Sequence, residues 1–239
     1  MAKPVIELYN VVKVYGSGEV KTWGLRGVTL RVYEGEFVAI MGPSGSGKTT
    51  LLNIMGLLDK PTSGRVVIAG VEAESLRGAR LARLRNRFIG FVFQQFNLIP
   101  RLTVLENIEL PLVARGVPRR IRVRKAREAL IAAAGDPSWL PKKPTQLSGG
   151  QQQRVAIARA IVGDPRVILA DEPTGNLDRR SAAIVMKTFL SLNERGQTIV
   201  MVTHDPEVAN CAHRIVLLRD GRIIGEEEPD RSKCITRIL

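Results

Sequence analysis

The sequence predicts an α/β protein with three parts: a mostly parallel buried sheet, an antiparallel β portion ahead of it, and an inserted helical block. Three observations carry this. Short apolar runs, Phe37–Met41, Val167–Ala170 and Thr198–Val202, each end abruptly in glycine or polar residues, as strands covered on both faces do. Alternating stretches precede the first of these runs. Between residues 103 and 134 the apolar spacing is helical throughout.

Taken in order, Val5–Tyr15 alternates well enough for one or two strands, broken by Gly16-Ser17-Gly18. Val28–Val32 is a second alternating strand, and Glu34-Gly35-Glu36 turns it into Phe37–Met41. Tyr15 ends its strand beside a glycine-rich turn, so its ring can stack on a flat base or serve as a core tyrosine.

After Met41 comes Gly42-Pro43-Ser44-Gly45-Ser46-Gly47-Lys48-Thr49-Thr50, which fits G-x-x-x-x-G-K-[ST], the Walker A phosphate loop. A triphosphate concentrates negative charge. Gly42, Gly45 and Gly47 let backbone N–H groups turn inward toward it. The helix opening at Lys48 adds its positive end. Lys48 supplies a full charge, and the Thr49 hydroxyl can ligate Mg²⁺. A chance Gly/Ser loop is the competing reading, and the strand before and helix after it argue against that.

Pro61–Gly64 is a turn, Arg65–Ala69 a strand, and Ser75–Asn86 a basic helix. The strand Phe88–Phe93 ends at Gln94-Gln95, followed by the apolar loop Phe96–Pro100, either a docking surface or a loop folded on the core. Thr103 and Glu106 have capping-box spacing. Pro118 starts a second helix, and Gly135-Asp136-Pro137 stops it. Leu147-Ser148-Gly149-Gly150-Gln151 opens an amphipathic helix and is either a second anion site or only an N-cap.

Asp171-Glu172 follows Val167–Ala170 directly. Carboxyl ends of strands are where open α/β sheets bind ligands. There Asp171 can hold Mg²⁺ and Glu172 can deprotonate an attacking water. Ser181–Asn193 is a helix. His204 follows the next buried strand and suits phosphate sensing, whereas His213 reads as surface. Asp220-Gly221 is a hairpin turn between Arg214–Leu218 and Ile223–Glu227, and the last residues read as a frayed tail.

Composition bounds the rest. The 239 residues are 44% hydrophobic but 5% aromatic, so the core is aliphatic. No stretch reaches the length of a membrane span, and the start lacks a signal peptide's apolar run. Cys211 and Cys234 show no metal spacing and are expected as two free thiols in a reducing compartment. The net charge of +13 fits anionic lipid, an acidic partner or nucleic acid, or a genome or hot habitat that favours arginine. No aromatic residues interleave with the basic run 118–125, which weakens the nucleic-acid option.

Six motifs stand in fixed order: GPSGSGKTT, FVFQQ, LSGGQQQR, VILADE, TGNLD and THD. From about Val5 to Glu227 the chain resembles the nucleotide-binding subunit of an ATP-binding cassette (ABC) transporter. FVFQQFNLIP, LDKPTSG and DEPTGNLD are similar to the lipoprotein-release, macrolide-efflux and cell-division branch. The resemblance implies a P-loop NTPase core with a RecA-like sheet. Core and β subdomain would span about 1–93 and 155–228, a helical subdomain about 94–154, and a tail 229–239. It implies Tyr15 as the adenine-stacking aromatic, Gly42 to Thr50 as the ATP phosphate loop, and Gln94 on Mg²⁺ or the lytic water. Ser148, Gly149, Gly150 and Gln151 would be the signature motif and Asp178 the D-loop aspartate. Asp171 would serve Mg²⁺, Glu172 would be the catalytic base, and His204 would meet the γ-phosphate.

The function implied is an ATPase working as a head-to-tail, ATP-dependent homodimer on a membrane permease, at the inner face of the cell membrane. No nucleic acid is expected. The alternatives are an ABC ATPase that transmits force without transport and, behind it, a nucleic-acid machine.

Overall fold

The computed structural model describes residues 3–16 and 21–238. The expected break at Gly16-Ser17-Gly18 therefore lies mostly outside the described residues.

Two sheets organise the chain. β1 (Pro4–Tyr15), β2 (Thr22–Tyr33), β4 (Ser63–Ile68) and β5 (Val71–Glu72) form an antiparallel sheet in the order β2-β1-β4-β5. β3 (Phe37–Met41), β6 (Ile89–Phe93), β7 (Val167–Asp171), β8 (Thr198–Thr203), β9 (Arg214–Arg219) and β10 (Arg222–Glu227) form the second, ordered β10-β9-β3-β8-β7-β6. All its pairs are parallel except the β9–β10 hairpin. That hairpin turns at Asp220 and Gly221, φ 48° and 75°, as a type I′ turn requires.

Strand alternation splits the interior in two. Phe37, Ala39, Ile168, Ala170, Ile199 and Met201 face one apolar cluster, while Val38, Ile40, Val167, Leu169, Val200 and Val202 face the other. The first cluster is closed by α3 (Val104–Ala114), α4 (Arg119–Ala132), α5 (Gly149–Ile161) and α6 (Arg179–Glu194). The second is closed by α1 (Lys48–Met55), α2 (Gly78–Phe88) and the antiparallel sheet. This explains why the strands read as unbroken apolar runs: neither face meets water. The inserted helical block lies between β6 and β7, where the spacing placed it.

Several boundaries differ from expectation. β1 is a single bulged strand, and β2 begins six residues earlier than its alternating part, running through Gly24 and Gly27. The basic helix is displaced to Gly78–Phe88, because residues 73–75 form a separate tight turn. The capping box is present: Thr103 N–H donates to Glu106 Oε2 at 2.7 Å and Glu106 N–H to Thr103 Oγ1 at 3.2 Å. The connector 135–141 is anchored. Asp136 caps a short turn, and the buried Trp139 lies under the Arg154 guanidinium at 4.9 Å. In the loop after Gln94, Leu98 packs on the core while Ile99 stays exposed.

Two expectations fail. Residues 229–238 do not fray. They form two tight turns and pack Ile235 against the α6 side of the core. Cys211 and Cys234 are not free thiols; they form a disulfide with Cα atoms 4.8 Å apart. The reason is tertiary. The tail folds back across 23 residues onto the turn after α7 (Pro206–Ala209), and no local spacing encodes that return. His213 lies at the surface as expected, though its Nδ1 accepts from Phe37 N–H at 3.3 Å.

Candidate active site

The phosphate loop follows directly from β3. Gly45 and Gly47 have φ of 78° and 100°, a region that side chains disfavour. A Cβ on Gly42 would lie 2.1 Å from the Leu218 carbonyl oxygen. The loop is therefore compact and passes close under β9. Lys48 is buried, and its Nζ donates to the carbonyls of Gly42 (2.7 Å) and Pro43 (3.0 Å). The ammonium is thus held over the mouth of its own loop. Ser46 Oγ is buried with no hydrogen-bond partner. A buried hydroxyl without a partner costs stability.

The carboxyl ends of β7 and β8 adjoin this loop. Burial raises Asp171 above the usual carboxylate range, and the neighbouring Glu172 charge raises it further. The Lys48 charge and a hydrogen bond with Thr49 pull it back. Asp171, Thr49 and Lys48 therefore form one electrostatic unit. Glu172 has φ 44°, and such left-handed backbone at a non-glycine residue collects at functional sites. Its Oε1 lies 2.9 Å from His204 Nδ1. Tyr15 keeps 39% of its surface exposed, and its hydroxyl reaches Asp59 at 2.9 Å and Thr50 at 3.5 Å.

A second group forms around the loop after Glu172. Gln94 Nε2 donates to Asn176 Oδ1 (3.2 Å), and Asn176 Nδ2 donates back to the Gln94 carbonyl (3.1 Å). Asp178 caps α6, accepting from Ser181 N–H at 2.9 Å and Ser181 Oγ at 2.6 Å. Ser148 and Gln151 form a capping box at the start of α5. A Cβ on Gly150 would lie 2.9 Å from Ser181, and one on Gly149 3.5 Å from Leu177. The signature turn thus sits beside the Asp178 loop, with Ser148 exposed.

The sequence missed two residues here. Asn176 lies inside TGNLD, and its pairing with Gln94 depends on two strand ends meeting. Gln153 is fully buried on α5, and its Nε2 donates to the Pro173 carbonyl at 2.6 Å. Its place in a run of three glutamines gives no cue to burial.

Among the described residues no three His, Cys, Asp or Glu side chains gather around a metal position. A cation here would rest on the Thr49 hydroxyl and Asp171, with phosphate oxygens completing the shell. That donor set suits Mg²⁺, which prefers one or two carboxylates plus substrate phosphates.

Comparison with known proteins shows the family. An uncharacterized ABC transporter ATP-binding protein of Thermotoga maritima is 55% identical over 226 residues, covering 94% of this chain and 96% of that protein. The macrolide export ATP-binding/permease protein MacB of Syntrophobacter fumaroxidans is 52% identical over 92% of this chain, which spans only 31% of MacB. A solved dimeric structure of the cassette MJ0796 of Methanocaldococcus jannaschii, in a post-hydrolysis state bound to ADP and Pi, superposes with a TM-score of 0.86 at 49% identity. The superposition covers 93% of this chain and 98% of that one. The family model described as ABC transporter matches residues 25–175. With a phosphate loop, a carboxylate pair and a signature turn arranged in this way, the chain belongs to the ABC transporter family as an ATP-binding subunit, an ATPase.

Proposed function

We propose that the protein hydrolyses ATP as a head-to-tail homodimer and drives a membrane permease of the export or lipoprotein-release type. The single observation that carries the catalytic part is Glu172: a carboxylate on left-handed backbone at a strand end, 2.9 Å from His204 Nδ1 and next to the phosphate loop. In this reading the 42–50 loop binds the triphosphate through its N–H groups and Lys48. Thr49 and Asp171 would hold Mg²⁺, with Gln94 reaching it or the lytic water, and the cation would neutralise charge on the phosphates. Glu172 accepts the proton of the attacking water, and His204 holds the Glu172 carboxylate in place and meets the γ-phosphate. Tyr15 stacks on the base.

Ser148, Gly149, Gly150 and Gln151 serve the partner copy's nucleotide, and Asp178 borders the same face. The exposure of Ser148 and its place beside the Asp178 loop support this. So does the dimeric state of the MJ0796 structures. In this reading the core and β subdomain take about residues 1–93 and 155–228, and the helical subdomain about 94–154. The permease contact falls on the Gln94–Pro100 loop and on the groove it adjoins. Arg83, Arg87, Phe91, Phe93, Arg115 and Lys125 line a volume of about 1790 Å³ there. The permease fused to cassettes in MacB-type relatives supports a membrane partner, with this chain on its cytoplasmic side. No helix among the described residues is long and apolar enough to cross a membrane itself.

The test is Glu172→Gln. Turnover should fall about 10²–10⁴-fold, while ATP and Mg²⁺ drive the variant into a dimer visible by light scattering. Full steady-state hydrolysis overturns the assignment of the base, and a monomer at saturating ATP overturns the two-copy sandwich.

A further inference from the structure

Beside the phosphate loop lies a small charged network that the reading above does not use. Asp59, in the turn after α1, accepts three hydrogen bonds at once. Lys13 Nζ reaches Oδ1 at 2.6 Å, Lys60 N–H reaches Oδ1 at 2.7 Å, and the Tyr15 hydroxyl reaches Oδ2 at 2.9 Å. The Lys13 ammonium is also fixed by the Lys60 carbonyl at 2.9 Å. From there it stands 4.8 Å from the centroid of the Tyr15 ring. The Lys13 side chain is only 13% exposed and Asp59 29%, so the pair is partly shielded from screening by water and salt.

The ring is restrained on its other contacts too. A Cβ on Gly24 would lie 2.9 Å from Tyr15 Cε2 and 2.9 Å from Thr50 Cγ2. β2 therefore closes on the tyrosine and on α1 where only glycine fits. Thr50, two residues past the loop lysine, lies 3.5 Å from the Tyr15 hydroxyl. The aromatic is thus tied at its hydroxyl to Asp59, overlaid by Lys13 and backed by Gly24, and its free surface remains 39% open.

A free tyrosine at a strand end samples several χ1 wells, and binding a base must freeze one of them. A side chain already held in one orientation avoids that loss. We propose that Asp59 and Lys13 are positioning residues that brace the Tyr15 ring for base stacking and register it to the phosphate-loop helix. Neither touches the nucleotide; both act through Tyr15. The proposal rests on Tyr15 being the base-stacking aromatic. Burial disfavours the Asp59 anion, yet hydrogen bonds from Lys13, the Lys60 backbone and Tyr15 hold it below the usual carboxylate range. Asp59 is accordingly ionised at neutral pH.

The experiment compares ATP with inorganic triphosphate, which engages the phosphate loop and has no base, on the full chain. In Asp59→Ala and Lys13→Met the Kd for ATP should rise about 3–10-fold. The Kd for triphosphate should stay at the wild-type value, and the kinetic loss should fall on KM with kcat retained. Tyr15→Ala is the reference and should show the same selective loss. If Asp59→Ala and Lys13→Met bind ATP like wild type while Tyr15→Ala does not, the brace is overturned and stacking stands. Unchanged ATP binding in all three removes stacking by Tyr15 and the brace with it. An equal loss for ATP and triphosphate overturns the proposal as well, since the defect then lies in the phosphate loop.

Discussion

Asp171, the proposed Mg²⁺ carboxylate, carries a cost to stability. Burial and the Glu172 charge raise it above its ordinary value, against Lys48 and Thr49. A carboxylate raised in the folded state destabilises that state wherever it is ionised. The penalty is full above the folded value and vanishes once pH falls below the unfolded one. Asp171→Asn should therefore raise Tm at pH 8, and the gain should shrink toward zero as pH drops through the carboxylate range. The Mg²⁺-dependent part of nucleotide binding should be lost in the same variant. A lower Tm at pH 8, read by calorimetry, would contradict the direction assigned to this group. The same trade is visible at Ser46, whose buried hydroxyl lacks a partner, and at Glu172, whose backbone is left-handed. In the proposed reading these residues meet the nucleotide, and the fold carries their cost.

Among secondary-structure elements, β6 and α5 lie in close contact. Gly90 pairs with Ile168 of β7, and a Cβ on it would come within 2.4 Å of the Ala160 carbonyl oxygen. The signature helix thus lies directly on the strand that leads to Gln94. Two further ties join the same parts. Gln153 donates to the carbonyls of Phe93 and Pro173, and Arg159 donates to those of Phe96 (2.8 Å) and Asn97. α5, the Gln94 loop and the loop after Glu172 are therefore hydrogen-bonded to one another. Gly90→Ala should destabilise the protein by about 1–3 kcal/mol through overpacking, measured by urea unfolding. Stability equal to wild type would mean that this contact is looser than the backbone places it.

Across the full chain, the tail and the disulfide close the fold. Ile235 buries against the cluster that holds α6, and Cys234 is bonded to Cys211 after α7. The segment that follows His204 is thereby tied to the C-terminus. A cross-link spanning 23 residues constrains the unfolded chain by about 3 kcal/mol. Reduction should lower Tm by roughly 6–12 °C in a domain of this size. The Cys234→Ser variant should melt at the reduced temperature with or without dithiothreitol. Two titratable thiols in the untreated folded protein, with no response to reductant, would remove the cross-link.

The parts of the candidate site were legible because each is local. Gly42 to Thr50, Asp171-Glu172 and His204 each follow an apolar strand, and strand ends in an α/β sheet converge. Capping at Thr103 and Ser148 and the turn at Asp220-Gly221 were equally readable, since each is satisfied within four residues of chain. What stayed hidden depends on segments that meet only after folding. The Cys211–Cys234 bond needs the tail to return to α7. The Gln94–Asn176 pair needs two strand ends side by side, and the Asp59–Tyr15–Lys13 network needs β1 laid against the end of α1. Backbone periodicity and turn chemistry are written residue by residue, whereas such contacts arise from packing two sheets around two cores.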